Sequence, residues 1–341
     1  MERAVAMDIY DLIVVGGGPA GLSAAISGAS ELPRVALLDS GRKAPPGKYQ
    51  RQLGGQAIGS TLIENYPGFP GGLSGCELMR RFEEQALMLG AEIFCPQHAT
   101  SLSLVENNLK RITTRSNGEF IAKTVIIASG LSYRKLDAPG VKELLGKGVQ
   151  YGAPTFSPEK LGTCNICVVG AANSAGQAVM HLSQNPNARI KVLVRGKKPI
   201  ETQMSKYLVE RVYGCNNVEV IQDRMVIGAY GSNDKLEHIT LSDGDGQTSE
   251  LATDHLFIFI GAEPKVAWLP PELAKDKNNF IGTDMDLGRI NGDLFAFETS
   301  IPGVFAAGDI RHGSVKRVAA GGGEGSAAVA SVHRWLANRQ R

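Results

Sequence analysis

A strand–turn–helix pattern near the start of the chain constrains the fold more than any other feature. Residues 8–15 form a short apolar run rich in β-branched side chains, as a buried parallel strand requires. The run enters the sequence Gly-Gly-Gly-Pro-Ala-Gly at residues 16–21, and a helical pattern follows. This is G-x-G-x-x-G in the setting where a helix N-terminus faces a pyrophosphate. The pattern predicts a dinucleotide-binding βαβ unit with these residues in its phosphate turn: Gly16, Gly18, Pro19, Ala20 and Gly21.

The second strand of this unit ends in an acidic residue. Residues 35–38 are apolar and are followed by Asp39, about 20 residues after the glycine turn. An acidic side chain at this spacing accepts hydrogen bonds from the ribose hydroxyls of an adenosine. We therefore expect Asp39 to bind ribose, with a glycine-rich turn that holds no ligand as the alternative.

A similar pattern recurs about 150 residues further along. Residues 166–169 are apolar and enter Gly-Ala-Ala-Asn-Ser-Ala at residues 170–175, and the next apolar strand ends at Arg195. A basic residue there favours the 2′-phosphate of NADP over NAD. Ala172 stands where glycine usually lets the backbone approach a pyrophosphate. A domain that has kept the fold but lost the nucleotide site therefore remains an alternative. The residues expected to bind the nucleotide are Gly170, Asn173, Ser174, Ala175 and Arg195, with Lys197 and Lys198 as further cations.

The chain contains one Cys-x-x-Cys motif, formed by Cys164 and Cys167. The motif overlaps the predicted strand before Gly170. In an extended strand, residues three apart point to opposite faces, with Cα atoms about 10 Å apart. A disulfide requires Cα atoms within roughly 7 Å. We therefore expect both cysteines to be packing residues, and the dispersed Cys76, Cys95 and Cys215 to be ordinary thiols.

Composition narrows the class of protein. A chain of 341 residues is long enough for two domains with separate cores. A formal net charge of +2 predicts no general affinity for nucleic acid or anionic membranes. The sequence contains no run of roughly 18 apolar residues, so no membrane span is predicted. Residues 1–10 lack the apolar core of a secretory signal. Five irregularly spaced cysteines fit reduced thiols, so we expect a cytoplasmic enzyme. Metal-ligand spacing is absent, and we expect no metal.

Three more sequence blocks carry a family resemblance. The three blocks occur in the order found in low-molecular-weight thioredoxin reductases. They are residues 54–56 with 64–68, residues 303–309, and residues 317–325. The last block precedes a helix expected from Ser326 to Ala337. Together with the two glycine turns, they make the chain resemble that family from Asp11 to about Leu336. The resemblance implies a pyridine nucleotide-disulfide oxidoreductase-like flavoenzyme. It extends the expected FAD site to Gly55, Gln56, Asn65, Gly130, Gly308, Asp309, Arg317, Val318 and Ala319.

The resemblance also implies a fold. We expect an α/β protein with two Rossmann-like dinucleotide-binding domains, each a βαβ array with a three-layer sheet, the second inserted into the first. The predicted FAD-binding domain comprises residues 1–135 and 263–341, and the predicted NAD(P)H-binding domain comprises residues 136–262. Two linkers would let the inserted domain rotate as a body. The family also implies a homodimer with FAD and NADPH as cofactors.

One family feature is missing from the sequence. Thioredoxin reductases carry a redox Cys-x-x-Cys just before the second nucleotide-binding strand, and residues 148–151 align with the approach to it. Gly152 and Thr155 then stand where the two cysteines are expected. Residues 173–178 and 204–208 look like a subgroup that lacks the pair. We therefore expect electrons to pass from NADPH through FAD to an acceptor that reaches the flavin directly: ferredoxin, flavodoxin, a quinone or a small molecule. No side chain is expected to be catalytic.

Other functions stay open from the sequence. They are a nicotinamide-independent flavoprotein reduced by ferredoxin, a non-enzymatic redox sensor, and a thioredoxin reductase that uses non-standard cysteines. His312 follows residues 303–309, which the resemblance identifies as the second flavin motif. We expect a surface histidine there, with a proton donor to the flavin as the alternative. His333 and Trp335 are expected to be ordinary residues of the last helix.

Overall fold

The structure is a computed structural model. It describes residues 9–44, 48–50, 52–60, 62–63, 65–152, 158–232, 235–287 and 295–339. Thr155, one of the two positions where the resemblance expects a cysteine, lies outside the described residues. Two compact units account for the chain: residues 1–132 with 263–341, and residues 133–262. The predicted domains divided at residue 135 instead of 132, and their assignment to FAD and to nicotinamide stays a prediction.

The described part of the chain contains five α-helices and nineteen strands. The helices are α1 (Pro19–Glu31), α2 (Gly75–Met88), α3 (Asn173–Leu182), α4 (Lys206–Tyr213) and α5 (Val318–Asn338). The strands are β1 (Ile9–Val15), β2 (Val35–Leu38), β3 (Arg42–Ala44), β4 (Lys48–Gln50), β5 (Glu92–Phe94), β6 (Ala99–Leu104), β7 (Lys110–Thr114), β8 (Glu119–Ile127), β9 (Leu131–Tyr133), β10 (Val149–Tyr151), β11 (Cys164–Val169), β12 (Ala188–Val194), β13 (Val218–Gln222), β14 (Met225–Ser232), β15 (Lys235–Ser242), β16 (Thr248–Ala252), β17 (His255–Ile258), β18 (Ala262–Pro264) and β19 (Val304–Ala306).

The first unit is built on one seven-stranded sheet. Its order is β5-β2-β1-β8-β7-β6, with β19 also paired to β8. The strands β5, β2, β1, β8 and β19 are parallel, and β7 and β6 continue antiparallel. Both faces of β1 are buried: Leu12 and Val14 pack with α1, α2 and α5, whereas Ile13 and Val15 pack with the segment between Val266 and Ile281. This double burial explains why the strand is apolar at nearly every position.

The second unit has three layers. A parallel sheet in the order β10-β17-β11-β12-β13 lies between two helices and an antiparallel sheet in the order β14-β15-β16. Residues of α3 and α4 close one core, and residues of β14 and β15 close the other. The predicted α/β class with two Rossmann-like units is confirmed.

The last helix differs from the prediction. It begins at Val318 and contains the whole glycine-rich segment, so its expected start at Ser326 is wrong. Helix α5 packs closely on α1: a Cβ added at Gly325 would lie 2.0 Å from the carbonyl oxygen of Ala20. Glycines are tolerated inside this helix because the close packing of the two backbones outweighs their low helix propensity. None of the helices in the described part of the chain combines the length and the apolar character needed to cross a bilayer.

Candidate functional site: two nucleotide cradles

The glycine turn after β1 leaves an uncapped helix end exposed to a ligand. Gly16 has φ +114°, and a Cβ there would lie 2.3 Å from the carbonyl oxygen of Ala128. A Cβ at Gly21 would lie 1.7 Å from the carbonyl oxygen of Gly16, so both positions require glycine. At Gly18, the N-cap of α1, a Cβ would meet only the Cα of Gly55, at 4.0 Å. Protein packing therefore leaves open space beside Gly18, and no side chain caps the first turn of α1, as expected of a phosphate cradle.

Asp39 lies at the end of β2 and is anchored by the glycine turn. Its carboxylate accepts hydrogen bonds from the amides of Gly17 (2.6 Å) and Gly41 (2.7 Å). Each carboxylate oxygen has a second lone pair, so a ribose hydroxyl can still be bound. The backbone of Asp39 also bonds to Phe94 (3.1 Å) and Gln97 (2.6 Å). The predicted ribose contact fits this geometry and stays a prediction.

A shallow depression, largely open to solvent, lies at the segment that follows β5 and was not predicted from the sequence. It has a volume of about 270 Å³ and is lined by the segment from Ile93 to Gln97, the same segment that bonds to the backbone of Asp39. The only signal in the sequence was an edge strand whose carboxyl end would lie next to β2.

The second flavin motif meets the first at the start of α1. Strand β19 runs parallel to β8, which pairs with β1, so their carboxyl ends lie together. Gly308 has φ +77°, and a Cβ there would lie 2.7 Å from the Cβ of Ala20. Burial raises the pKa of the neighbouring Asp309, and no donor to its carboxylate is found within the described residues. Asp309 is partly buried, and the charge of Lys316 opposes the upward shift of its pKa. A partly buried carboxylate is a group that the hydroxyls of a polyhydroxylated ligand would satisfy.

Glu324 holds the loop that carries Asp309. Its carboxylate accepts hydrogen bonds from the amide of Gly308 (2.8 Å), the guanidinium of Arg311 (2.9 and 3.2 Å) and the hydroxyl of Ser314 (2.8 Å). No role is predictable for Glu324 or Arg311 from the sequence motifs. The one available signal was a single acid within a run of glycines.

The other residues predicted for the FAD site lie around this turn. The side-chain amide of Gln56 donates to the carbonyl oxygen of Leu131 (3.0 Å). Arg317 is the N-cap of α5, and Val318 and Ala319 form the first turn of that helix, which has no side-chain cap. The φ angles of Gly55 (+55°) and Gly130 (+61°) are positive, whereas Asn65 is exposed. The FAD contacts of these residues stay predictions.

The second unit repeats the cradle at the end of β11. Gly170 has φ +139°, and a Cβ there would lie 2.5 Å from the carbonyl oxygen of Phe259. Ala172 is exposed and extended, with φ −91°, so its methyl group causes no backbone strain. The N-terminus of α3 has no side-chain cap. Ser174 is exposed beside it and Ala175 is buried. The cradle therefore fits a pyrophosphate despite the alanine.

Two predicted nicotinamide-site residues differ in their surroundings. The side-chain oxygen of Asn173 accepts a hydrogen bond from the amide of Ser205 (2.7 Å), at the start of α4. Asn173 therefore also fixes one helix to the next. Arg195 is exposed at the end of β12, as a 2′-phosphate contact would require. Lys197 lies 4.0 Å from the carboxylate of Asp223.

The Cys-x-x-Cys pair is divided between two cores. All five cysteines of the chain are described, and none of them forms a disulfide. Cys164 packs in the core closed by α3 and α4, and Cys167 packs in the core on the other face of the sheet. Burial raises the pKa of the Cys167 thiol to about 11, and its sulfur shares a 3.1 Å hydrogen bond with the hydroxyl of Thr253. Burial also raises the pKa of Cys164. The prediction that both are packing residues is confirmed.

The histidines and the tryptophan near the C-terminus have ordinary surroundings. His312 is partly exposed and its Nδ1 lies 2.9 Å from the carboxylate of Asp286, so the predicted surface histidine is confirmed. His333 is exposed on α5, and Trp335 is buried against Lys110. Within the described residues, no cluster of side chains has the composition of a metal site.

Two dinucleotide cradles on separate Rossmann-like units define a class of two-cofactor oxidoreductases. Comparison with known proteins specifies the family: the sequence model described as "Pyridine nucleotide-disulphide oxidoreductase" matches residues 10–325. The chain belongs to this family and is an FAD-dependent oxidoreductase. Family members use FAD and NADPH, in agreement with the two predicted cofactors.

Several of the similar proteins and structures are thioredoxin reductases. The chain is 30% identical to thioredoxin reductase of Bacillus subtilis (strain 168), over 97% of this chain and 96% of that protein. It is 31% identical to thioredoxin reductase of Treponema pallidum (strain Nichols), over 96% of this chain and 97% of that protein. The fold is similar to Lactococcus lactis thioredoxin reductase, with a TM-score of 0.80, 27% identity, and coverage of 96% and 99%.

Proposed function

We propose that the protein transfers electrons from NADPH through FAD to an acceptor that reaches the flavin directly, without a disulfide relay. FAD, when bound, supplies the chemistry by accepting a hydride and delivering the electrons onward. The protein positions the two nucleotides and excludes water. The acceptor is a ferredoxin, a flavodoxin, a quinone or another small molecule. From the family resemblance we also propose a homodimer, and from the irregularly spaced cysteines a cytoplasmic location.

The observation that carries the proposal is the placement of Cys164 and Cys167. A redox dithiol needs two sulfur atoms that can bond to each other and a thiolate that can attack. These two side chains point into different cores, and burial disfavours the thiolate of each. The sequence at residues 152–155 is Gly-Ala-Pro-Thr and supplies no sulfur either. The chain therefore has no evident pair of thiols for the relay of its relatives.

The two cradles support the nucleotide part of the proposal. In the first unit, the open end of α1, the carboxylate of Asp309 and the carboxylate of Asp39 fit the phosphates, the polyol chain and the ribose of FAD. In the second unit, the uncapped end of α3 and the exposed Arg195 fit the pyrophosphate and 2′-phosphate of NADPH.

An anaerobic titration of the purified holoenzyme tests the proposal. NADPH is expected to bleach the flavin absorbance at about one equivalent per flavin, whereas NADH acts only at much higher concentration because it lacks the 2′-phosphate. Reoxidation of the reduced flavin by a quinone, or by an oxidised flavodoxin that has no free thiols, then measures direct electron delivery. A flavin that only ferredoxin or dithionite reduces would contradict the proposed donor.

Cysteine variants test the absence of a relay. Cys164→Ala and Cys167→Ala, alone and combined, should retain NADPH oxidation and acceptor reduction at close to the wild-type rate in the folded protein. Cys215→Ala is the matched control for removing a thiol of the same unit that lies outside the motif. The wild type could instead reduce thioredoxin. If that activity disappears in the double variant but not in the control, it would establish a dithiol mechanism.

A further inference from the structure

Residue 152, where the resemblance expects the first cysteine, is built for glycine. Gly152 follows β10 and has φ +78°, a conformation that side-chain-bearing residues rarely adopt. Its amide donates to the carbonyl oxygen of Ile258 (3.2 Å), and the residue is buried. The backbone at this position is therefore tied to the neighbouring strand β17 and cannot readily shift to make room.

The space above Gly152 is filled by the phenol of Tyr133. A Cβ at residue 152 would lie 2.6 Å from the phenol oxygen and 2.9 Å from the ring carbon that carries it. Both distances are shorter than non-bonded atoms allow, so a side chain at residue 152 would have to displace the ring. Residues 133 and 152 belong to the same compact unit.

A second tyrosine holds the ring in place. Tyr133 is stacked on Tyr151, with ring centroids 6.4 Å apart and an angle of 19° between the planes. The phenol oxygen of Tyr151 accepts a hydrogen bond from the amide of Leu136 (2.7 Å), which fixes the supporting ring. Tyr133 is 39% exposed. An outward swing of its ring would give up the stacking on Tyr151 and expose more apolar surface.

We propose that Tyr133 is a specificity-determining residue: its phenol occupies the space that a cysteine at residue 152 would need. The position is thereby closed to thiol–disulfide exchange, and the enzyme is restricted to acceptors that need no thiol. The proposal rests on the proposed function, since it assumes that this part of the second unit faces the acceptor. It also predicts that restoring the two cysteines by themselves would not restore a relay.

A double-mutant cycle measures the steric coupling. Gly152→Ala is made in the wild type, in Tyr133→Phe and in Tyr133→Ala, and the unfolding midpoint of each holoenzyme is recorded. The left-handed backbone strains the alanine equally in every background, so differences report the phenol. The loss caused by Gly152→Ala should be ~3 °C smaller in Tyr133→Ala than in the wild type. Tyr133→Phe should be intermediate, because the 2.9 Å contact of the ring carbon remains.

A matched background controls for the loss of any tyrosine. Tyr207 is exposed on α4 of the same unit, and Gly152→Ala should cost as much in Tyr207→Ala as in the wild type. Equal losses in the wild type, Tyr133→Phe and Tyr133→Ala would overturn the proposal.

Activity tests the specificity claim. Gly152→Cys with Thr155→Cys is made with and without Tyr133→Ala, and NADPH-dependent reduction of DTNB is measured, in which two electrons from NADPH break one S–S bond. Disulfide reduction should rise about tenfold only when Tyr133 is also replaced. An equal gain with Tyr133 present, or no gain without it, would overturn the proposal. A flavin that NADPH fails to bleach would instead refute the proposed function, and the thermal cycle would still report the coupling.

Discussion

A buried lysine offers a sharp physical test of the structure. Lys110 is fully buried, and its ammonium donates to the carbonyl oxygens of Asn108 (2.9 Å) and Lys123 (3.0 Å). It also lies 4.4 Å from the ring centroid of Trp335 on α5. Burial lowers the pKa of Lys110 from 10.5 to about 8; the charge of Arg339 lowers it further, and that of Glu298 opposes the shift.

The depressed pKa fixes the sign of a pH effect on stability. Each pKa unit corresponds to about 1.4 kcal/mol, so keeping this lysine charged costs the folded state about 3 kcal/mol at neutral pH. Between pH 8 and 10.5 the folded protein has lost the proton and the unfolded chain still holds it. The unfolded state then binds more protons, and the contribution of Lys110 to stability rises with pH through this window.

The variant Lys110→Met removes the titrating group and keeps a long side chain. Urea unfolding of the wild-type and variant holoenzymes, followed by circular dichroism from pH 7 to pH 10, gives the difference in their free energies of unfolding. That difference should shift in favour of the wild type by ~2 kcal/mol or more across the range. Lys277→Met, at an exposed lysine of the same unit, should show no such trend. A difference that is flat, or that falls with pH, would refute the assignment of a buried charged lysine.

Three further predictions concern the two cradles and the packing of α5 on α1. Glu324→Gln weakens the charge-assisted hydrogen bonds that hold the second flavin motif, so the purified protein should show a lower ratio of flavin to protein absorbance than the wild type. Gly325→Ala places a Cβ 2.0 Å from the carbonyl oxygen of Ala20 and should lower the unfolding midpoint by more than ~5 °C, whereas Gly323→Ala, with no atom within 4 Å, should leave it unchanged or raise it slightly. Arg195→Ala should raise the KM for NADPH about tenfold and leave that for NADH unchanged, and equal changes for both would argue against a 2′-phosphate contact.

The amino-acid sequence by itself determined the features that depend on neighbours in the chain. The glycine turns at residues 16–21 and 170–175 were recognisable because only glycine permits their backbone angles and close contacts. The periodicity of a strand also sufficed to place Cys164 and Cys167 on opposite faces. The start of α5 was mistaken, because glycine weakens a helix locally and the compensating contact with α1 is not visible in the sequence.

Only the tertiary structure decided which distant side chains share one space. A lysine such as Lys110 is usually exposed, and its burial here follows from the convergence of β7 with the C-terminal helix. Nor does the sequence pair Tyr133 with Gly152, or Glu324 with Arg311. Turn chemistry and strand periodicity are local properties that a sequence displays directly. Burial, charge pairing and steric exclusion arise between segments far apart in the chain, and folding alone brings those segments together.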